Sequence, residues 1–285
     1  MIREATAADI PAIAAWTTDT FDWGDYVPDD LPVWLRDPSI GVFVYDEGGI
    51  PIALGKAQML SPTEAWLSSA RVHPEHRGRR IAGAVGEALM SWARQRDGRI
   101  ARLIVEDWND SAISQVERGG MRRVVDLTWC HRAVSTKAAA PGGNGGRRAP
   151  AALRARQGRS ADAEPAFAAW SVGSLCRSAR GLFCSSWAAR RLTAEDLAEA
   201  ARQNGFWEVG SGWITGERIG QRFSISWIET SPEEAADALR AVVDLAAGSG
   251  ADELWMWVPT IDWIVAAAQK AGCETAAMGI YAVEL

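Results

Sequence analysis

Histidine, lysine and paired cysteine are scarce in this sequence. Three histidines and four cysteines, Cys130, Cys176, Cys184 and Cys273, offer no C-x-x-C spacing. Neither a zinc site nor a disulfide framework is expected, and the thiols should be buried and reduced. No apolar run approaches the ~20 residues that cross a bilayer, and the opening residues MIREATAADI lack the apolar centre of a secretion signal. The expectation is a soluble cytoplasmic protein that uses no membrane and no metal. Only Lys56, Lys137 and Lys270 are lysines among 30 basic residues, which are outnumbered by 36 acidic ones. An acidic chain with no basic face argues against nucleic acid as a partner. The 15 tryptophans are spread over both halves with no basic groove around them, which suits core and pocket packing rather than base stacking.

What is present is ordinary globular composition, 48% hydrophobic and 23% charged over 285 residues, enough for two cores. Residues 135–160, STKAAAPGGNGGRRAPAALRARQGRS, are rich in Gly, Ala, Pro and Arg and contain no acid. They read as a linker between domains at 1–134 and 161–285. The first half reads as a strand, a helix capped by Thr6, an acidic aromatic loop, and a hairpin over 40–60 turning at Glu47–Gly49. After these come a strand over 65–72, a helix over Ile81–Gln95, a strand to Glu106 and Asp107, a helix over 111–119 and closing strands over 121–134. The second half repeats that order in a different sequence: helices near 163–176 and 193–204, strands over 205–220 and 222–230, then helix, strand, helix and a terminal strand. An α/β (α+β) fold follows, two tandem domains each with a mixed, mostly antiparallel sheet flanked by helices.

The richest stretch is AWLSSARVHPEHRGRRIAGA, residues 65–84, where a strand meets a Pro turn and a basic, glycine-containing loop opens a helix. A helix start exposes unpaired N–H groups and the positive end of the dipole. Arg77, Arg79 and Arg80 add charge suited to phosphate, and Gly78, Ala82 and Gly83 permit close approach to the backbone. A solvated basic helix start has the same composition, so the loop alone does not decide.

Taken with NDSAISQVERGGM, residues 109–121, this loop resembles the GCN5-related N-acetyltransferase (GNAT) family. The first segment is similar to that family's acyl-CoA loop, (Q/R)xxGx(G/A). The second matches its later pattern at Asn109, Ala112, Gly120 and Met121. The resemblance covers 1–134, and the second half only by element order. It implies two parallel strands that splay to expose backbone to pantetheine, here from Ala70, Arg71 and Val72. It further implies a pyrophosphate held by Arg77, Gly78, Arg79, Arg80, Ile81, Ala82 and Gly83, with Asn109 meeting the pantetheine or adenosine side. The co-substrate would be acetyl-CoA or another acyl-CoA.

Two positions depart from the family. Arg80 stands where glycine is usual, narrowing the approach to phosphate, and Val116 stands where many relatives carry a tyrosine that protonates the leaving thiolate. Acyl transfer to an amine also needs a base. Glu106, at a strand end facing the crevice of an open sheet, is preferred over Glu64; each has the alternative of an ordinary carboxylate. Ser69 is a weaker candidate, and His73 and His76 are expected to shape the loop. The segment DTFDWGDYVPDD offers Asp19, Asp22, Asp25, Asp29 and Asp30 among Phe21, Trp23 and Tyr26. It suggests a small cationic amine as acceptor, or else a solvated loop with aromatic anchors.

In the second half, Glu233 and Glu234 occupy the helix start where a pyrophosphate would sit, and the basic loop is missing. One acyl-CoA per chain is expected, in the first domain. Three functions remain open: an N-acetyltransferase acting on a small-molecule primary amine, a non-catalytic acyl-CoA-binding or sensing protein, and an aminoacyl-transfer enzyme, the last disfavoured by the intact CoA-type loop.

Overall fold

The computed structural model describes residues 1–22, 24–134 and 153–285. They form two compact units, Met1–Val124 with Ile280–Leu285, and Val125–Gly279.

The first unit contains β1 (Ile2–Glu4), α1 (Ile10–Thr17), α2 (Val27–Trp34), β2 (Ile40–Glu47), β3 (Ile50–Ser61), β4 (Glu64–Val72), α3 (Ile81–Arg94), β5 (Ile100–Glu106) and α4 (Asp110–Arg118). Antiparallel pairing links β1 to β2, β2 to β3 and β3 to β4, while β4 and β5 are parallel. Side chains alternate across the strands. On β3, Ala53 and Ala57 join the core beneath α3, with Val85, Leu89 and Trp92, whereas Leu54 points to the opposite core with Ile13, Leu31 and Trp34 of α1 and α2. Buried residues Ile81, Val85, Leu89 and Trp92 recur every three or four positions along α3, the period of a helix laid on a sheet.

The second unit begins within β6 (Arg122–Ala133). It continues through β7 (Ala155–Gln157), α5 (Ala163–Val172), α6 (Ser174–Ala179), β8 (Leu182–Ser185), β9 (Ala188–Arg191) and α7 (Ala194–Arg202). Then come β10 (Phe206–Val209), β11 (Gly212–Ile219), β12 (Arg222–Glu229), α8 (Ala235–Gly248), β13 (Glu253–Pro259), α9 (Asp262–Lys270) and the start of β14 (Glu274–Glu284). Its strands run in the order β6-β13-β12-β11-β10-β7, with β8 and β9 a separate hairpin. The pair β12 and β13 is parallel and joined through α8, as β4 and β5 are joined through α3.

The division differs from one drawn at 134 and 161. Leu127–Ala133 of β6 pair antiparallel with β13, so the last strand of the N-terminal half belongs to the second unit from Val125 onward. Conversely, Tyr281 lies in the first unit's core and the Leu285 amide bonds the Arg99 carbonyl at 2.9 Å. A sheet edge is satisfied by whichever strand reaches it, and chain order does not reveal which. Of the segment read as linker, 135–152 lies outside the described residues, while Ala155–Gln157 is a strand paired with β10. The acidic loop runs into α2, with Pro at its first turn, Asp29 and Asp30 complementing the dipole, and Val27, Leu31 and Trp34 buried on one face. Gly173 splits the helix read over 163–176 into α5 and α6. Cys130, Cys184 and Cys273 are buried free thiols; Cys176 is free and half-buried. No helix among the described residues is long and apolar enough to cross a membrane.

Candidate functional site

The parallel ladder of β4 and β5 is short. It covers Glu64–Trp66 against Ile100–Arg102, while β4 runs on to Val72 and β5 to Glu106. Past that point the two strands have no shared register. The cause is visible on the other edge of β4. Leu54 opposes Arg71 and Lys56 opposes Ser68, so two steps on β3 meet three on β4. The extra residue is a bulge, which bends and twists its strand. Ser69 takes up the change in the left-handed region at φ 58°, costing about 1 kcal/mol for a side chain of this kind.

Arg71 and its neighbours brace the bulge. The Ser69 hydroxyl is 3.3 Å from the Tyr26 hydroxyl, and Arg71 Nε donates to Asp25 at 2.9 Å. The Arg71 guanidinium also lies over the rings of Phe21 and Tyr26, at 4.9 and 5.4 Å. Burial opposes charge on Arg71, but the Asp25 hydrogen bond and attraction outweigh it and raise its pKa. The Asp25 side chain is fully buried. This corrects the expectation that Asp25 is free to attract a cationic acceptor: its charge is spent on Arg71. Asp19, Asp22, Asp29 and Asp30 are exposed, and Trp23 lies outside the described residues.

Beyond β4, His73–Arg80 form the expected loop. Gly78 has φ 78° and open space where a Cβ would stand, a conformation glycine adopts without strain. Arg77, Gly78, Arg79 and Arg80 are exposed, and Ile81 is buried as the first anchor of α3. Arg80, the N-cap residue, makes no side-chain cap bond, so the first-turn amides of Ile81, Ala82 and Gly83 receive none from it. Arg80 itself is left-handed at φ 61°, which gives a backbone reason for glycine at this position in relatives, in addition to space. The three arginines differ. Arg77 Nε donates to the Val72 carbonyl at 3.3 Å, Arg79 is paired with Glu47 at 2.6 Å, and Arg80 is exposed, with no side-chain partner among the described residues.

His73, Glu75 and His76 bring three potential metal ligands within 4.8 Å of one another. Their hydrogen bonds do not suit a metal. His73 Nδ1 accepts from the Glu75 amide and His76 Nδ1 from Arg79, which can only donate. His76 Nδ1 also lies 3.3 Å from Glu47 Oε2, so both histidines are tied into the loop through Nδ1. Both histidines shape the loop, stacking edge to face at 5.3 Å.

The two candidate bases separate. Glu64 starts β4 inside the closed end of the ladder, where Arg102 Nη1 donates to its Oε1 at 2.5 Å, with both side chains nearly buried. It is a structural ion pair, a correction to its candidacy as a base. Glu106 ends β5 past the ladder and is half-buried, with no side-chain partner among the described residues. Asn109 caps α4, its Oδ1 accepting from the Ala112 amide at 3.1 Å, so its carbonyl oxygen is committed to the helix. Val116 packs against the α3 core with Ala112 and Ile113.

Residues 10–120 match the family model described as the acetyltransferase (GNAT) family. The N-terminal segment is a GNAT domain. No curated protein matches the chain. Among solved structures, a GCN5-related N-acetyltransferase from Sphaerobacter thermophilus is similar over 100% of this chain and 95% of its own, with 15% identity and a TM-score of 0.69. A tandem GNAT protein from the clavulanic acid biosynthesis pathway covers 100% and 98%, at 13% identity and TM-score 0.59. A GCN5-related N-acetyltransferase from Kribbella flavida covers 99% and 70%, at 14% and 0.53. These likenesses establish the fold over the whole chain, an α/β architecture with mostly antiparallel sheets flanked by helices. A GNAT fold supports acyl transfer from acyl-CoA, and the family uses acetyl-CoA generally.

The second GNAT-like unit has its own opening. The β12–β13 ladder covers Arg222–Ile225 against Glu253–Met256, and β12 carries a bulge at Ser226, where Thr215 and Gly216 oppose Trp227 and Ile225. Its helix start is unlike that of α3. Glu234 is the N-cap of α8, but its carboxylate turns to accept from the amide and hydroxyl of Ser211 at 2.8 and 2.7 Å. It makes no side-chain cap bond to the first turn, yet it sets negative charge where a pyrophosphate would approach. Sequence reasoning missed Glu229, at the end of β12, whose carboxyl is pushed up to about 7 by burial. A lone acid closing a strand carries no signal of burial.

Proposed function

We propose that the chain is an N-acyltransferase that moves an acetyl group from acetyl-CoA to the primary amine of a small molecule, using the cleft of the first unit. The observation that carries this reading is the meeting of two features. β4 leaves β5 after Trp66, and the strand then delivers the chain to an open glycine loop and the uncapped start of α3. Backbone of Ala70, Arg71 and Val72 would bond the pantetheine amides, as an added strand does. First-turn amides of Ile81, Ala82 and Gly83, with Gly78 and the guanidinium groups of Arg77, Arg79 and Arg80, would hold the pyrophosphate. Arg79 would exchange Glu47 for phosphate. Asn109 contributes by orienting α4 at the rim.

In the transfer, the amine nitrogen attacks the thioester carbonyl, the carbon–sulfur bond breaks, and the thiolate must gain a proton. Glu106, on the open end of β5, is the group proposed to accept the ammonium proton directly or through water. The exposed carboxylates Asp19, Asp22, Asp29 and Asp30, on the segment that also carries Phe21, favour a cationic acceptor.

A second reading, acyl-CoA binding without turnover, is favoured by two observations. Val116, half-buried against the α3 core, stands where a tyrosine would act, and Glu64 is held by Arg102. Incubation with acetyl-CoA and a panel of small amines, read as thiol release, separates the two. Amine-dependent release that falls in Glu106→Gln supports transfer; tight CoA binding with no release across the panel supports the second reading.

A further inference from the structure

Ser69 holds a left-handed backbone, φ 58°, in the middle of β4, although glycine would take that conformation without strain. Strain of this kind gathers at functional sites, and what serine keeps there is a hydroxyl. That hydroxyl lies 3.3 Å from the phenol oxygen of Tyr26. Ser69 is 6% exposed and Tyr26 38%, so the pair leads from the sheet to solvent. The Tyr26 ring is fixed on two sides, edge to face with Trp34 at 6.1 Å and under the Arg71 guanidinium, which Asp25 anchors. Glu106 belongs to the same face of the sheet. Leu103 and Val105 pack with the core beneath α3, so alternation along β5 turns Glu106 the other way, toward the side where Trp34 and the α1–α2 core lie. The last pair of the ladder is Trp66 with Arg102. Ser69 is three residues beyond the first and Glu106 four beyond the second, which sets them at neighbouring levels where the strands part. Val116 packs on the opposite face, with the α3 core.

We propose that Ser69 and Tyr26 form the path by which the acceptor amine sheds its second proton, a role that rests on the acyl transfer proposed above for the first unit. With the pyrophosphate at the start of α3 and pantetheine along Ala70–Val72, the thioester meets β4 at Ser69, the next residue back along the strand. Glu106 takes the proton that turns the ammonium into a free amine. The amine nitrogen then bonds the carbonyl carbon, the carbon–sulfur bond breaks with its electron pair going to sulfur, and the nitrogen must lose one more proton. That proton passes to the Ser69 oxygen, the Ser69 proton to the Tyr26 oxygen and the Tyr26 proton to water, so both hydroxyls end as they began. The thiolate takes its proton from water, which accounts for a site that works with valine at position 116. Ser69 touches the amine, and Tyr26 is a positioning residue that acts through it.

The test uses the full chain with acetyl-CoA and the amine panel, thiol release giving kcat and calorimetry giving acetyl-CoA affinity. Ser69→Gly is the decisive variant, because it removes the hydroxyl and relieves the strained backbone together. The expected result is a Tm equal to or above that of the parent, acetyl-CoA affinity within about twofold, and kcat lower by about 10- to 100-fold. A residue that only shaped the strand would give the parental kcat in a protein this stable. Tyr26→Phe keeps the ring and should lower kcat about tenfold, with the deficit shrinking between pH 7 and pH 9 as hydroxide takes the proton directly. The double variant should be no slower than Ser69→Gly, as two members of one path require. Parental kcat in Ser69→Gly, a Tyr26→Phe deficit that is the same at both pH values, or losses that multiply in the double variant would each overturn the proposal. A parent that binds acetyl-CoA but releases no thiol with any amine refutes acyl transfer itself, and the proton path falls with it.

Discussion

Both units open a parallel strand pair with a bulge, but they furnish the opening in opposite ways. In the first, the strand leads to Gly78, exposed arginines and a helix start with no side-chain cap. In the second, the strand ends in a half-buried acid and the helix begins at Glu234. The buried carboxylates contrast as sharply. Glu64 sits in the closed end of its ladder with Arg102 at 2.5 Å, whereas Glu229 sits at the open end, half-buried, its Oε2 without a hydrogen-bond partner among the described residues. A shared backbone device therefore sets where a cleft forms, and the side chains around it decide which charge it accepts.

The largest expected effect comes from erasing the contrast between the two acids. Arg102→Ala strands the buried Glu64 carboxylate and should cost about 3–5 kcal/mol, read as a fall in the urea midpoint. Glu64→Gln should be milder and leave acyl transfer within a few-fold of the parent. A Glu64→Gln protein that is stable but inactive would make Glu64 the base after all. Glu106→Gln is the complementary change. It should lower kcat on the order of 100-fold with CoA affinity kept, and an unaltered kcat would remove Glu106 from the mechanism.

The next test asks whether only one opening takes CoA. Calorimetry should return a stoichiometry near one per chain, and the double variant Arg77→Ala, Arg80→Ala should weaken binding by about 10- to 100-fold, since each charge-assisted phosphate bond contributes about 1–2 kcal/mol at an exposed site. A stoichiometry near two, with the second site untouched by the double variant, would show that Glu234 does not exclude a phosphate.

How much of this was legible in the sequence depends on the range of the interaction. The glycine loop and the helix behind it are local, and the residues announce them; Asn109 read as a ligand contact and serves as the cap of α4. The pairing of Glu64 with Arg102 spans 38 positions and arises only because β4 and β5 are adjacent, so Glu64 read as a free acid. The bulge at Ser69 was hidden because no glycine marks it; Tyr26, Arg71 and Asp25 hold a serine in a glycine-like conformation. The exchange that puts Leu127–Ala133 in one unit and Ile280–Leu285 in the other follows from sheet edges rather than from the linker between them.

A smaller effect separates Glu229 from every paired acid in the chain. Burial holds its proton to about pH 7 in the folded protein, against an ordinary value of 4.5. The unfolded chain releases that proton first, so this group favours the folded state below pH 4.5, and the contribution is lost as pH rises through 7. Allowing for partial exposure, the change is about 1–2 kcal/mol. Urea unfolding at pH 5 and pH 8 should show it in the parent and not in Glu229→Gln; an identical pH response in both would place the carboxylate in water.

The smallest predicted change tests the one residue that departs from its family at the phosphate loop. Arg80 holds φ at 61°, so Arg80→Gly relieves a strain of about 1 kcal/mol, and the unfolded glycine returns part of that gain through its greater freedom. The net stabilisation should be a few tenths of a kcal/mol to about 1 kcal/mol, seen as a small rise in Tm. CoA affinity moves the other way if the guanidinium grips phosphate, and is unchanged or improved if that side chain only narrows the approach. A variant that is less stable than the parent would mean that the left-handed turn at Arg80 is fixed by its side chain, and that the helix start owes its shape to the arginine rather than enduring it.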